Sequence, residues 1–194
     1  FQHGKLMMRT TLTTLKSMRD KDEKIAALTC YDASFASLLE AQGVDILLVG
    51  DSLGMVLQGH DSTLPVTIEQ MVYHTSMVVR GSTRAFILAD MPFGSYQESP
   101  AQAFHNAAKL MAAGAQMVKL EGGAEVAPVI EALVTAGIPV MGHLGLTPQT
   151  ASQLGGFKVQ AKDEKAALKL ISDARAIEAA GCWSYVLELI PAPL

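Results

Sequence analysis

Asp32, Asp51, Asp90, Glu121, His143 and Glu188 each close a short apolar run: IAALTCYD, VDILLVGD, RAFILAD, AQMVKLE, IPVMGH and SYVLE. Five of these six closing groups are carboxylates. Carboxylates gathered in one small region repel one another, so such a cluster calls for a cation or for a reaction that uses the charge. Oxygen-only ligands favour Mg²⁺ over zinc. Asp51, Asp90 and Glu121 end the second, third and fourth runs. Adjacent parallel strands lie about 4.8 Å apart, so these three carboxylates are expected to converge on one ion. The competing reading of any one of them alone is a helix cap or a lysine partner.

The neighbours of these groups extend the chemistry. Lys119 stands two residues before Glu121, so both side chains point to the same strand face. A buried ammonium there is expected to meet an anion, either a neighbouring carboxylate or a substrate carboxylate. Ser52 follows Asp51 at a strand-to-loop junction, as an anion donor or a simple turn serine. His143 taken alone is more often a structural histidine than a ligand. His60 lies on a loop, where ordering a lid is one open reading. Tyr31 either lines a pocket or packs.

The elements that must hold these residues are legible as alternation. The first helix spans 10–22, with Leu12, Leu15 and Met18 on one face. Strands are predicted at 25–29, 46–49, 85–89, 117–120, 139–142 and 185–187, each brief and apolar enough for a buried parallel strand. Helices are predicted at 34–42, 67–80, 100–113, 124–136 and 163–180. Ser34, Thr67 and Ser99 are candidate N-caps, and Asp32 is set aside from the chemical groups as a further cap. Segments 52–65 and 145–162 read as loops. Gly43, Gly114, Gly137 and Gly181 each stop a helix and lead directly into a strand. Six strand–helix alternations argue for α/β with a parallel sheet. No GxGxxG opens a helix after the first strand and no GxxxxGK[ST] occurs, which disfavours a dinucleotide fold and excludes a P-loop. A (β/α)8 barrel accounts best for polar groups at the C-terminal strand ends. Such barrels have eight strands and typically about 250 residues, so two βα units are expected to be lacking after residue 194. An open doubly wound sheet is the alternative.

Composition excludes several classes. The 194 residues suffice for one domain with a sizeable core. Net charge is −4, from 15 basic and 19 acidic residues, so there is no basic footprint for nucleic acid. No apolar stretch reaches the roughly 18 residues of a membrane span. Cys30 and Cys182 form neither a CxxC pair nor a disulfide framework, and a reducing cytoplasm is the expected setting. The start Phe1-Gln2-His3-Gly4 resembles the remnant of a cleavable tag, so residues 1–6 are read as leader and 7–194 as a single barrel domain.

The stretches VGDSLGMVLQGHDSTLPVT, LADMPFGSY, GAQMVKLEGG, GHLGLTPQT and GGFKVQ occur in order. In these the chain resembles the ketopantoate hydroxymethyltransferase family, a (β/α)8 barrel related to the phosphoenolpyruvate mutase and isocitrate lyase superfamily. The resemblance implies hydroxymethyl transfer from 5,10-methylenetetrahydrofolate to 3-methyl-2-oxobutanoate, giving 2-dehydropantoate for pantothenate synthesis. It implies Mg²⁺ on Asp51, Asp90 and Glu121, some through water. It also implies an oxo-acid site of Asp51, Ser52, Asp90, Lys119 and His143. Glu188 is then the general base that takes the C3 proton, giving an enolate held by Mg²⁺. Leu187, Leu189 and Ile190 around it are expected to raise its pKa. A smaller residue than Leu189 is expected at its position. Gly155 and Gly156 are expected in a mobile loop near the folate. A large homo-oligomer, commonly a decamer, goes with the family. The alternatives are a C–C lyase or mutase of the related superfamily, and an inactive barrel fragment serving as a binding or assembly subunit.

Overall fold

A computed structural model describes residues 8–194; the tag-like start and Met7 lie outside the described residues. Six strands form one parallel sheet in sequence order: β1 Ala27–Thr29, β2 Ile46–Val49, β3 Phe86–Asp90, β4 Met117–Lys119, β5 Val140–Gly145 and β6 Ser184–Glu188. Among the described residues seven α-helices accompany them: α1 Leu12–Asp20, α2 Ala33–Ala41, α3 Leu53–Val56, α4 Ile68–Gly81, α5 Pro100–Ala112, α6 Ala127–Thr135 and α7 Glu164–Ala179. Among the described residues β1 and β6 pair on one side only, so the sheet is open there.

Strand alternation sorts the core into two layers. Leu47, Val49, Ile87, Ala89, Val118 and Leu120 belong to the larger layer, which packs against the helices. Ile46, Phe86, Leu88 and Met117 belong to the smaller layer, together with Leu15 of α1. Burying each such aliphatic or aromatic side chain contributes about 1.5–3 kcal/mol. Continuing the inner register towards the strand ends places Asp90 and Lys119 on the same face, directly paired across β3 and β4. The fold thus fills the lower inner face with apolar groups and reserves the upper end for charge.

Local chemistry sets the helix ends. Thr67 accepts from the N–H of Gln70, whose side chain in turn accepts from the N–H of Thr67, a reciprocal cap. Ser99 caps α5 and Asp163 caps α7. Of the two candidate caps of α2, Asp32 serves and Ser34 does not: the Asp32 carboxylate accepts from Phe35 N–H at 2.8 Å. The reason is reach: a capping oxygen bonds an amide two or three positions on, and Asp32 stands at the end of the extended segment. Gly43, Gly114, Gly137 and Gly181 all adopt φ between +86° and +107°, the left-handed region that turns the chain from helix to strand.

Three expectations are corrected. β1 is exposed throughout and β6 alternates between half-buried and exposed, because among the described residues each pairs with one strand only. The segment read as loop after Asp51 contains the short helix α3. The long loop after β5 contains a 3₁₀ turn at Pro148–Thr150, and that turn proves central to the site.

Candidate active site

Pairing of parallel strands brings Asp51, Ser52, Asp90, Lys119, Glu121, His143 and Glu188 around one cavity of about 170 Å³. All the sequence-derived site residues therefore meet in one place. Asp51, Asp90, Lys119, Glu121 and His143 are buried, whereas Glu188 is partly open to solvent.

Asp51 and Asp90 are direct neighbours: Asp90 Oδ2 accepts from the N–H of Asp51 at 3.1 Å. Lys119 Nζ lies 3.1 Å from Asp90 Oδ1, a buried ion pair. Burial pushes the Asp51 carboxyl up, the Asp90 charge adds to this, and together they outweigh Lys119 and Gln149, bringing it to about 7. Burial opposes the charge on Lys119, but Asp90, Glu121 and Asp51 outweigh that cost and hold its ammonium above the ordinary lysine range. A Cβ at Gly50 would lie 2.8 Å from Ser52 Oγ, so a side chain there would displace that hydroxyl. The Ser52 hydroxyl is also 2.8 Å from Tyr31 OH, so Tyr31 braces the site rather than merely packing.

Glu121 turns away from a three-way meeting. Its Oε2 accepts from the backbone N–H of Gln149 at 2.9 Å, and its Oε1 lies 3.4 Å from His143 Nδ1. Among the described residues no three carboxylate, imidazole or thiolate groups stand ready to hold an ion between them. Asp51 and Asp90 are in direct contact, and Glu121 lines the same cavity. That pair still suits Mg²⁺, which binds through one or two carboxylates and keeps open positions for water and substrate oxygens. The raised Asp51 carboxyl, buried beside Asp90, is a feature that a further cation would relieve.

His143 bridges the two sides. Its Nε2 is 3.1 Å from Glu188 Oε2, and its Nδ1 is 3.3 Å from Lys119 Nζ. In the neutral ring with hydrogen on Nε2, Nδ1 accepts from Lys119; in the protonated ring, Nδ1 is free to donate to Glu121. Burial opposes the imidazolium, but Glu121 and Glu188 outweigh it and raise the His143 pKa. The expectation of a raised Glu188 pKa is overturned. The His143 contact is the largest influence, it exceeds the effect of burial, and the carboxyl is held below its usual range. Leu187 and Leu189 are about half exposed, and the burial that remains at Glu188 is outweighed by the His143 contact. Leu189 also takes φ +46° and does not line the cavity, so its size does not alter the pocket.

Two buried polar residues escaped sequence reasoning. Gln149 donates through Nε2 to Asp51 Oδ2 at 2.8 Å, and Tyr96 OH donates to Gln149 Oε1 at 2.7 Å. Both lie inside the quoted stretches LADMPFGSY and GHLGLTPQT, yet nothing in their local pattern distinguishes them from loop residues. His60, by contrast, is exposed and outside the cavity. A second cavity of about 440 Å³ shares His143 and runs between the loop after β5 and α7.

A family profile described as ketopantoate hydroxymethyltransferase matches residues 9–194. The chain is 60% identical over 187 residues to a 3-methyl-2-oxobutanoate hydroxymethyltransferase of Thiobacillus denitrificans, covering 96% of this chain and 71% of the relative. It is 64% identical over 182 residues to the enzyme of that name from an Azoarcus species, covering 94% and 67%. Among solved structures, phosphonopyruvate hydrolase in complex with oxalate and Mg²⁺ superposes with a TM-score of 0.71 at 13% identity, covering 92% of this chain and 63% of that one. A 2,3-dimethylmalate lyase described as a PEP mutase/isocitrate lyase superfamily member gives 0.65 at 17% identity, with 93% and 62% covered. At such identities these two structures speak to fold alone, and this chain spans under two thirds of each.

Proposed function

This chain belongs to the ketopantoate hydroxymethyltransferase family, and on that premise we propose that it carries the site that transfers a hydroxymethyl group to 3-methyl-2-oxobutanoate. The donor in this proposal is 5,10-methylenetetrahydrofolate, the product is 2-dehydropantoate and the metal is Mg²⁺. The homo-oligomer and the cytoplasmic setting belong to the same proposal. One observation carries it: four strands deliver a carboxylate pair, a lysine and an opposed glutamate to the same small cavity.

Asp51 and Asp90 are the residues that would hold Mg²⁺, and Glu121 adds further negative charge behind them. When bound, the ion supplies Lewis-acid polarisation of the substrate oxo group. Lys119 offers the buried cation for the substrate carboxylate, and the Ser52 hydroxyl, oriented by Tyr31, offers a hydrogen bond to the same group. Glu188 is ionised at neutral pH and takes the C3 proton onto a carboxylate oxygen. His143 holds that carboxylate in place through Nε2. Loss of the C3 proton lets that carbon bond to the one-carbon unit; both bonds from that unit to the folate nitrogens break, one water supplies the hydroxyl oxygen, and the nitrogens take up the remaining water proton and the C3 proton as tetrahydrofolate leaves. The cavity between the β5 loop and α7, which shares His143, supplies room beside the reacting carbon.

The test is Glu188→Gln, followed by NMR of C3 hydrogen exchange of 3-methyl-2-oxobutanoate in D₂O. Loss of a positioned base costs about 10²–10⁴-fold, and this is the expected fall in exchange rate. Exchange at the wild-type rate would overturn the assignment of Glu188.

A further inference from the structure

We infer that Gln149 is the positioning residue of the cation site: its side-chain amide and its backbone N–H together fix Asp51 and Glu121 relative to each other. The inference rests on the functional reading above and goes further, because no motif spacing and no relative's name assigns Gln149 a role.

Gln149 is buried on the 3₁₀ turn that follows β5. Its Nε2 donates to Asp51 Oδ2 at 2.8 Å and to the backbone carbonyl of Met91 at 3.0 Å. A backbone carbonyl accepts only, so the amide nitrogen must face Met91 and therefore must face Asp51. The amide oxygen is turned the other way, to Tyr96 OH at 2.7 Å and Gln97 Nε2 at 3.3 Å. Both donors and both lone pairs are thereby occupied, which leaves this buried amide a single orientation. The backbone N–H of the same residue donates to Glu121 Oε2 at 2.9 Å.

Three strand ends are tied by this one residue: Asp51 after β2, Met91 after β3 and Glu121 after β4. Tyr96 is itself anchored, since its hydroxyl accepts from the N–H of Glu121 at 3.1 Å. The donors aimed at Asp51 and Glu121 offset part of the repulsion between two buried acids and set which oxygen of each stays turned to the cavity. Apolar packing alone would hold the turn but would orient neither carboxylate. Groups that orient metal-binding carboxylates in this way typically change metal affinity about 10–100-fold when removed.

The experiment is a Mn²⁺ titration of the full chain by electron paramagnetic resonance, which reports binding without turnover. Gln149→Met keeps the bulk of the side chain and removes both amide groups. The expected result is Mn²⁺ binding weakened about 10–100-fold. Tyr96→Phe, which removes the shorter hydrogen bond to the amide oxygen and the hydroxyl that accepts from the N–H of Glu121, is expected to act in the same direction by a smaller factor. Glu40→Gln, a distant destabilising change, serves as the control and is expected to lower Tm without changing Mn²⁺ binding. The inference is overturned if folded Gln149→Met binds Mn²⁺ within about twofold of wild type, or if the Glu40 variant weakens binding as much. Should Gln149→Met fail to fold, wild-type affinity in folded Tyr96→Phe overturns it equally. Wild-type chain that takes up no Mn²⁺ would instead sink the cation reading of the site, and this inference with it.

Discussion

The imidazole Nε2 of His143 lies 3.1 Å from Oε2 of Glu188, and this contact sets the working state of the glutamate. It holds the Glu188 carboxyl below its usual range, so the proposed base stays ionised to lower pH than an ordinary glutamate. His143→Asn removes Nε2 while keeping an amide near the Nδ1 position. The acid limb of the pH profile for C3 hydrogen exchange should move to higher pH in this variant, because the carboxylate loses its partner and protonates more readily. An unmoved acid limb would show that His143 does not govern Glu188.

Asp51 carries the opposite pH signature. Its folded pKa of about 7 lies above the ordinary value of 3.8, so ionising it costs folded-state stability. The cost is absent below pH 3.8, grows as pH rises towards 7, and is complete above that. Without divalent cation, Asp51→Asn should therefore raise Tm, and more at pH 8 than at pH 5. Each 1 kcal/mol relieved corresponds to about 2–4 °C at this chain length. Scanning fluorimetry checks it, and a lower Tm at pH 8 would refute the strain. Added Mg²⁺ should narrow the gap by stabilising the wild type alone.

Glu40 is a structural counterpart far from the cavity. Burial opposes its charge, but the amides of Ala85, Arg84 and Thr83 and the hydroxyls of Ser82 and Thr83 outweigh it and hold its pKa at about 2. The stabilisation is fully present above the unfolded value of 4.5 and is lost as pH falls through about 2. Glu40→Gln should cost about 1–2 kcal/mol at pH 7, discounted for partial solvent exposure. It should also flatten the loss of stability between pH 4.5 and 2, which urea melts at several pH values would measure.

Gly81 ends α4 against the backbone of α2. A Cβ there would stand 2.5 Å from Ala33 Cα and closer still to its carbonyl oxygen. Since backbone cannot swing aside as a side chain can, Gly81→Ala should destabilise by about 1–3 kcal/mol. A Tm equal to that of wild type would show that α2 and α4 can separate freely. Mn²⁺ binding should be preserved in the folded fraction.

The strand ends were legible because strand alternation is local. A run such as RAFILAD announces both its buried face and the polar group at its tip, and parallel pairing then places all such tips at one end. Asp51, Ser52, Asp90, Lys119, Glu121, His143 and Glu188 could therefore be named from the chain alone, the glycine joints could be placed, and family motifs gave them roles. Helix caps were legible too: of the two candidates for α2, Asp32 and Ser34, Asp32 is the one that caps.

What the tertiary structure decided is who partners whom. Gln149 reaches Asp51 across 98 positions of chain, and no spacing rule encodes that contact. The same holds for Glu188, where apolar neighbours in sequence suggested a raised pKa. Those neighbours are about half exposed, and the His143 contact outweighs the burial that remains. Local pattern determines which face and which end a side chain occupies. The charge state of that side chain depends on the dielectric and the donors around it, and those arrive from distant segments only when the sheet is assembled.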